Sequence, residues 1–205
     1  MNGLDIPPEM LARAKEQRGR EHPFADLDPM HTALVVVDMQ NAFMDDAVGH
    51  AVCPMAREIV PNVNRLAAAV RSGGGGVFWI KNTFNVRSAR EWSVLDEMAT
   101  PERRAKRAAA MSEGTKGHEL WPSLDVRADD EIVKKYRFSA FLAGASDLPD
   151  RLQARGFDTV LITGTVTNVC CESSARDAMM MNYKVVMVTD ANAAMTMEEH
   201  RASLL

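Results

Sequence analysis

Apolar and polar positions fall in blocks along this chain, and the blocks predict strands and helices in regular succession. Thr32-Ala33-Leu34-Val35-Val36-Val37 is a continuous apolar run of strand length, the mark of a strand buried on both faces. A helical pattern follows, with Ile59, Val63, Leu66, Ala67 and Val70 on one side. Four glycines, 73–76, then turn the chain into a second strand at Val77-Phe78-Trp79-Ile80. Glu131-Ile132-Val133 predicts a short third strand, and a helix over 148–155 leads to the fourth, Thr159-Val160-Leu161-Ile162-Thr163. A helix over about 169–182, a fifth strand over 184–189 and a closing helix around 197–205 complete the pattern. Strands alternating with helices predict the α/β class: a doubly wound, mostly parallel sheet flanked by helices, three layers deep in the Rossmann-like manner.

Two stretches stand outside this rhythm. Residues 1–30 are polar and proline-punctuated, with one short helix expected over 8–18; they predict an N-terminal arm lying on the domain of 31–205 or on a neighbouring subunit. Between 82 and 130 the periodicity weakens, which predicts short helices and a lid. Glycines 73–76 follow a helix and precede a strand, the reverse of a phosphate-binding loop, and no Lys-Ser/Thr pair follows them. They read as a helix cap and turn. The absence of Gly-x-Gly-x-x-Gly after the first strand argues against a dinucleotide enzyme.

Composition narrows the partners. A chain of 205 residues is large enough for one domain with a full core. A formal charge of −4 gives no electrostatic reason to expect nucleic acid or an anionic membrane. No apolar stretch approaches the ~20 residues that span a bilayer. Cys53, Cys170 and Cys171 make no disulfide framework, and the first residues carry no signal-peptide pattern, so a reducing cytoplasm is expected.

In open α/β sheets, ligands bind beyond the carboxyl ends of the strands. Three reactive residues fall there: Asp38 ends the first strand, Lys135 follows the third, and Cys170 follows the fourth. A carboxylate at the end of an apolar strand is costly to bury without a partner, and Lys135 supplies one. Cys170 stands where a helix is expected to start, facing unpaired N–H groups and the positive end of the helix dipole, which favours its thiolate. Nucleophile, carboxylate and ammonium together form a set suited to acyl transfer.

The segments around these residues carry a resemblance. Asp38-Met39-Gln40-Asn41-Ala42-Phe43 is similar to the first motif of the isochorismatase-like cysteine hydrolases. Lys135-Tyr136-Arg137-Phe138-Ser139-Ala140-Phe141 resembles their lysine motif, and residues 164–177 resemble their nucleophile motif, followed by Tyr183 and Asp190-Ala191. Gly114-Thr115-Lys116-Gly117 resembles a further family loop. The resemblance implies an isochorismatase-like domain, assembled as a homodimer or homotetramer, with Asp38, Lys135 and Cys170 as the catalytic triad. The motif's register selects Lys135 over Lys134. A cis peptide at Thr165–Val166 is implied as well, with the N–H groups of Val166 and Cys170 forming an oxyanion hole. The implied activity is hydrolysis of a linear amide or carbamoyl bond in a small molecule, through a thioester and without a cofactor.

Alternatives follow from the same resemblance. Metal-using nicotinamidase relatives carry an Asp with two spaced His, a spacing that His22, His31, His50, His118 and His200 do not reproduce, so no metal is expected. Isochorismatases proper cleave a vinyl ether and lack the nucleophilic Cys, which makes that chemistry remote here. A non-catalytic scaffold is the other alternative. For the pocket wall, Phe43, Trp79, Asn82 and Phe141 are substrate-binding candidates, with Arg87 and Arg90 as carboxylate anchors from the lid. The basic cluster at 103–107 reads as a solvated helix face, Cys171 as core, and Met179-Met180-Met181 as core or subunit interface.

Overall fold

The computed structural model describes residues 6–205. In chain order its helices and strands are α1 (Pro8–Arg18), β1 (Thr32–Val37), α2 (Asn41–Met44), α3 (Val60–Ser72), β2 (Gly76–Asn82), α4 (Val86–Glu91), α5 (Ser93–Glu97), α6 (Pro101–Met111), β3 (Glu131–Lys135), α7 (Leu148–Ala154), β4 (Thr159–Thr165), α8 (Glu172–Met180), β5 (Lys184–Ala193) and α9 (Met197–Leu204).

The unbroken apolar run of β1 follows from its place in the sheet. Strand side chains point alternately to opposite faces, and both faces of β1 are covered. Leu34 and Val36 join Val63, Ala67 and Val70 of α3 in one core. Ala33, Val35 and Val37 join Leu148 and Leu152 of α7 and Ala175 and Ala178 of α8 in the other. The five strands lie in the order β3-β2-β1-β4-β5, and every pairing is parallel. The chain winds outward from β1 to β3 and then returns to β1's other side through β4 and β5. The switch point between β1 and β4 is where such sheets leave a crevice at their carboxyl ends.

Five elements depart from the pattern read in the sequence. β2 and β4 run on to Asn82 and Thr165, past their expected ends at Ile80 and Thr163. β3 continues to Lys135, so the lysine closes the strand and does not follow it. β5 continues to Ala193, past the expected end at 189, after a register shift opposite Ile162–Gly164. Asn192 spans that irregularity, its side-chain amide donating to the carbonyls of Ile162 (2.9 Å) and Val188 (2.8 Å). The polar Asp190 and Asn192 mask this extension in the sequence. The expected helix at 169–182 begins instead as a single π turn, Thr167–Cys171, and becomes α-helical only at Glu172.

Before β3 the chain is fastened to α3. Arg71 grips Asp130 at 2.9 and 2.6 Å, and the indole N–H of Trp79 donates to the same carboxylate at 2.8 Å. α1 forms where the arm was expected and has no buried residue; residues 1–5 of that arm lie outside the described residues. Among the described residues, no helix is long and apolar enough to cross a membrane.

Candidate active site

Asp38 leaves β1 with φ at 52°, a conformation that costs a non-glycine residue about 1–3 kcal/mol and persists only where its surroundings hold it. Here the Asp38 N–H donates to the Ile80 carbonyl at 3.0 Å, and the Gln40 N–H donates to the Asp38 carbonyl at 2.7 Å. Gln40 itself is clamped: its side chain donates to the carbonyls of Asn82 and His118 and accepts from the Asn82 N–H at 2.7 Å. The motif's Gln40 therefore ties the end of β1 to the end of β2.

Lys135 reaches the same point from β3. Its Nζ lies 2.7 Å from Asp38 Oδ2, donates to the Arg137 carbonyl at 3.0 Å, and stands 3.5 Å from Cys170 Sγ. Both charged side chains are sealed from solvent, at 0% and 1% exposure. Cys170 arrives from the π turn after β4. The Thr165–Val166 peptide is cis, and His200 and Ser203 of α9 brace the turn through Thr167 Oγ1 (2.9 Å) and Glu172 Oε2 (2.7 Å).

The close approach of β4 to β1 depends on Gly164. Its φ is +109°, and a Cβ there would lie 2.1 Å from the Val37 carbonyl oxygen. Gly164→Ala is expected to cost about 3 kcal/mol from backbone strain and overpacking. Urea denaturation measures this, and a loss under 1 kcal/mol would contradict it.

Burial dominates the electrostatics of the trio. It raises the Asp38 carboxyl above the ordinary aspartate value, against the opposing pull of Lys135 and, more weakly, of the neighbouring Cys170 and Asn82. For Lys135, burial pulls the ammonium down, but the facing Asp38 and Cys170 outweigh it and hold the value above that of a free lysine. The Cys170 thiol is pushed up to about 12 by burial and by Asp38, with Lys135 opposing. This corrects the expectation of a resting thiolate: the helix-dipole argument considers only the local chain, and the desolvation that outweighs it comes from the packed domain. A protonated thiol beside a carboxylate of raised basicity is a donor–acceptor pair for proton transfer.

A cavity of about 480 Å³ opens beside Cys170. The nucleophile turn contributes Val166, Val169 and Cys170, and the segment between β2 and β3 contributes Trp92, Leu95, Met98, Arg103 and Arg107.

An isochorismatase domain model matches residues 32–205. The chain belongs to the isochorismatase family. It is 30% identical over 202 residues to a ureidoacrylate amidohydrolase of Pseudomonas syringae pv. syringae, covering 92% of this chain and 80% of that one. A cysteine hydrolase structure from Pseudomonas syringae pv. phaseolicola superposes with a TM-score of 0.68 at 31% identity, over 82% of this chain and 75% of that one. An N-carbamoylsarcosine amidase from Thermoplasma acidophilum superposes with a TM-score of 0.64 at 29% identity, over 80% and 84% respectively.

In this isochorismatase-family chain, the residues singled out from sequence divide sharply. Asp38, Lys135 and Cys170 converge, and Val166, Phe43 and Asn82 line the cavity beside them. Trp79, Phe141 and Arg87 do not reach it. Trp79 is fully buried mid-strand with its N–H committed to Asp130. Phe141 packs edge-to-face on Tyr183 at 5.6 Å, in the core beneath α7 and α8. Arg87 is solvent-exposed and pairs with Glu91 at 2.6 Å, and Arg90 is also exposed. Trp92, Arg103 and Arg107, together with His50, Tyr136 and Phe138, line the cavity without having been singled out for it. Arg103 and Arg107 are four apart and share a helix face; Arg103, Arg104 and Lys106 are exposed, as the solvated reading of 103–107 expects, and Arg107 departs from it, half-buried against Asp96. Among the described residues, no group of three or more His, Cys, Asp or Glu is arranged to hold a metal ion.

Proposed function

We propose that this protein is a cysteine-dependent amidohydrolase, cleaving a linear C–N amide or carbamoyl bond of a small molecule through a thioester and releasing ammonia or an amine. Family and relatives make it a hydrolase of non-peptide C–N bonds. The observation that carries the finer reading is the dry convergence of Asp38, Lys135 and Cys170 at the switch point, with the sulfur on the cavity wall.

The chemistry runs through one carboxylate. Asp38 takes the thiol proton of Cys170, and the sulfur bonds to the substrate carbonyl carbon. The oxyanion that forms is held by the N–H groups of Val166 and Cys170, a type of contact worth about 10²–10³ in rate per donor. Collapse breaks the C–N bond as Asp38 returns the proton to the departing nitrogen. Water then gives a proton to Asp38, its oxygen attacks the thioester, and the acid leaves as Cys170 regains its proton. Lys135 keeps the carboxylate ionised between steps and stabilises the transient thiolate at 3.5 Å.

Three free, buried cysteines fit a reducing cytoplasm. The exposed Met179, Met180, Met181 and Leu142 form an apolar surface suited to a homodimer or homotetramer contact.

Because Asp38 must be ionised to accept the thiol proton and burial raises its value, the acid limb of the kcat/KM profile should lie above the ordinary aspartate value of about 3.9. A pH–rate profile reads this directly, and a limb at or below that value would contradict the assignment. The function itself is tested by ammonia and amine release from maleamate, nicotinamide, biuret, ureidoacrylate and N-carbamoyl amino acids. Turnover that disappears in Cys170→Ala supports the reading. No release from any of them, with Cys170 inert to thiol reagents, overturns it in favour of a non-catalytic binding protein.

A further inference from the structure

The cavity holds more than the acyl-transfer groups require. Its 480 Å³ falls within the range of about 300–1,000 Å³ that receives drug-sized ligands, well beyond the needs of a short linear ureide. Much of its wall is apolar, with Phe43, Trp92, Leu95, Met98, Phe138 and Met195 supplying aromatic and flexible surface. Such a wall favours a bulky apolar body through burial.

Polar groups stand in this wall: Arg103, which is solvent-exposed, and Arg107 and His50, which are half-buried. Arg103 and Arg107 both line the cavity, and no Asp or Glu does. Arg107 is neutralised by Asp96, whereas Arg103 has no acidic partner among the described residues. His50 Nε2 is buried and lacks a hydrogen-bond partner, although its ring is fixed edge-on against Phe43 at 5.2 Å. Burial and the positive charge of Arg107, Lys106 and Arg103 bring His50 down to about 4, so at neutral pH it is an uncharged imidazole beside a cationic patch. One unneutralised guanidinium with one neutral ring nitrogen matches a single negative charge. A dianion such as a phosphate would leave an excess charge against an apolar wall.

We propose that Arg103 and His50 form a carboxylate subsite, and that the substrate is an amide or ureide bearing a bulky apolar body and a carboxylate, with its scissile carbonyl at Cys170. This rests on the amidohydrolase reading above. Arginine suits the role because its planar fork binds carboxylate bidentately.

The test compares kcat/KM for N-carbamoyl-L-phenylalanine, its neutral carboxamide counterpart and N-carbamoylglycine. The aromatic acid should exceed each of the others by about 10–10²-fold. Arg103→Gln should remove about 10–10²-fold of the acid's kcat/KM, chiefly through KM. Arg104→Gln, exposed on the same helix and away from the cavity, should preserve the preference. Equal turnover of acid and carboxamide, or an acid preference untouched by Arg103→Gln, would overturn the subsite. If Cys170→Ala still abolishes that turnover, the amidohydrolase reading stands without the subsite. Calorimetry on the Cys170→Ala protein probes the same subsite without turnover. 3-Phenylpropionate should bind, 3-phenylpropionamide should bind at least about 10-fold more weakly, and Arg103→Gln should erase the difference. Equal binding of the two probes sinks the proposal whether or not any amide is hydrolysed.

Discussion

Cys170→Ala is expected to lower kcat/KM by at least about 10⁴-fold on every substrate the protein hydrolyses, while the fold stays intact. Among the described residues, the sulfur is the nucleophile on the cavity wall that faces both Asp38 and Lys135. Its neighbour Cys171 cannot take its place, because that thiol is fully buried and turned toward the Thr163 carbonyl at 3.8 Å. The substitution removes one sulfur and leaves the Asp38–Lys135 pair joined at 2.7 Å, so the stability change should stay near about 1 kcal/mol. Urea denaturation beside the kinetics separates lost chemistry from lost fold. Turnover that persists in Cys170→Ala would remove the nucleophile from the account.

The second large effect concerns Lys135→Met. Removing the ammonium leaves Asp38 buried without its counter-charge, which should cost about 3–5 kcal/mol. Activity should fall by about 10³-fold, comparable to losing a positioned acid or base. The carboxyl, already raised by burial, would rise further without the ammonium that opposes that burial, and less of it would be ionised to accept the thiol proton. The pH dependence follows from the directions of shift. Lys135 sits above its ordinary value, so its stabilising share is complete below about 10.4 and fades only as pH rises through the folded value. Asp38 sits above its own ordinary value, and ionising it in the variant costs stability as pH rises from about 3.9 through the folded value. The gap between parent and variant should therefore narrow toward acid pH. Asp38→Asn combined with Lys135→Met should recover part of the stability and none of the activity. A single Lys135→Met variant as stable as the parent at neutral pH would contradict the pairing.

The scaffold was legible because its apolar positions say which faces are covered. β1 reads from residues 32–37 alone, since every position after Thr32 is apolar and all six are buried. The helix α3 reads from its spaced valines and alanines. With those elements placed, the rule for parallel sheets brings Asp38, Lys135 and Cys170 to one edge before any contact is known.

The segment between β2 and β3 is another matter. Helices α4 and α5 are six and five residues long, too short to be stable on local propensity, and tertiary contacts decide what they bring inward. Trp92 lies edge-to-face with Phe138 at 4.8 Å, across 46 residues of sequence, and no local pattern announces that pairing. The apolar run ends at Ile80 and so places Trp79 beside the strand end, whereas β2 runs on to Asn82 and leaves Trp79 mid-strand, away from the carboxyl edge. What commits its indole is Asp130, 51 residues away.

The most direct test of the central claim is the mass of the Cys170 peptide from protein quenched in acid during turnover, with hydroxylamine added in parallel to intercept any thioester. An increment equal to the substrate's acyl fragment, on Cys170 and on neither Cys53 nor Cys171, with the matching hydroxamate in the parallel sample, is the predicted result. An unmodified Cys170 and no hydroxamate, in a protein that is hydrolysing its substrate, would contradict covalent catalysis by this cysteine.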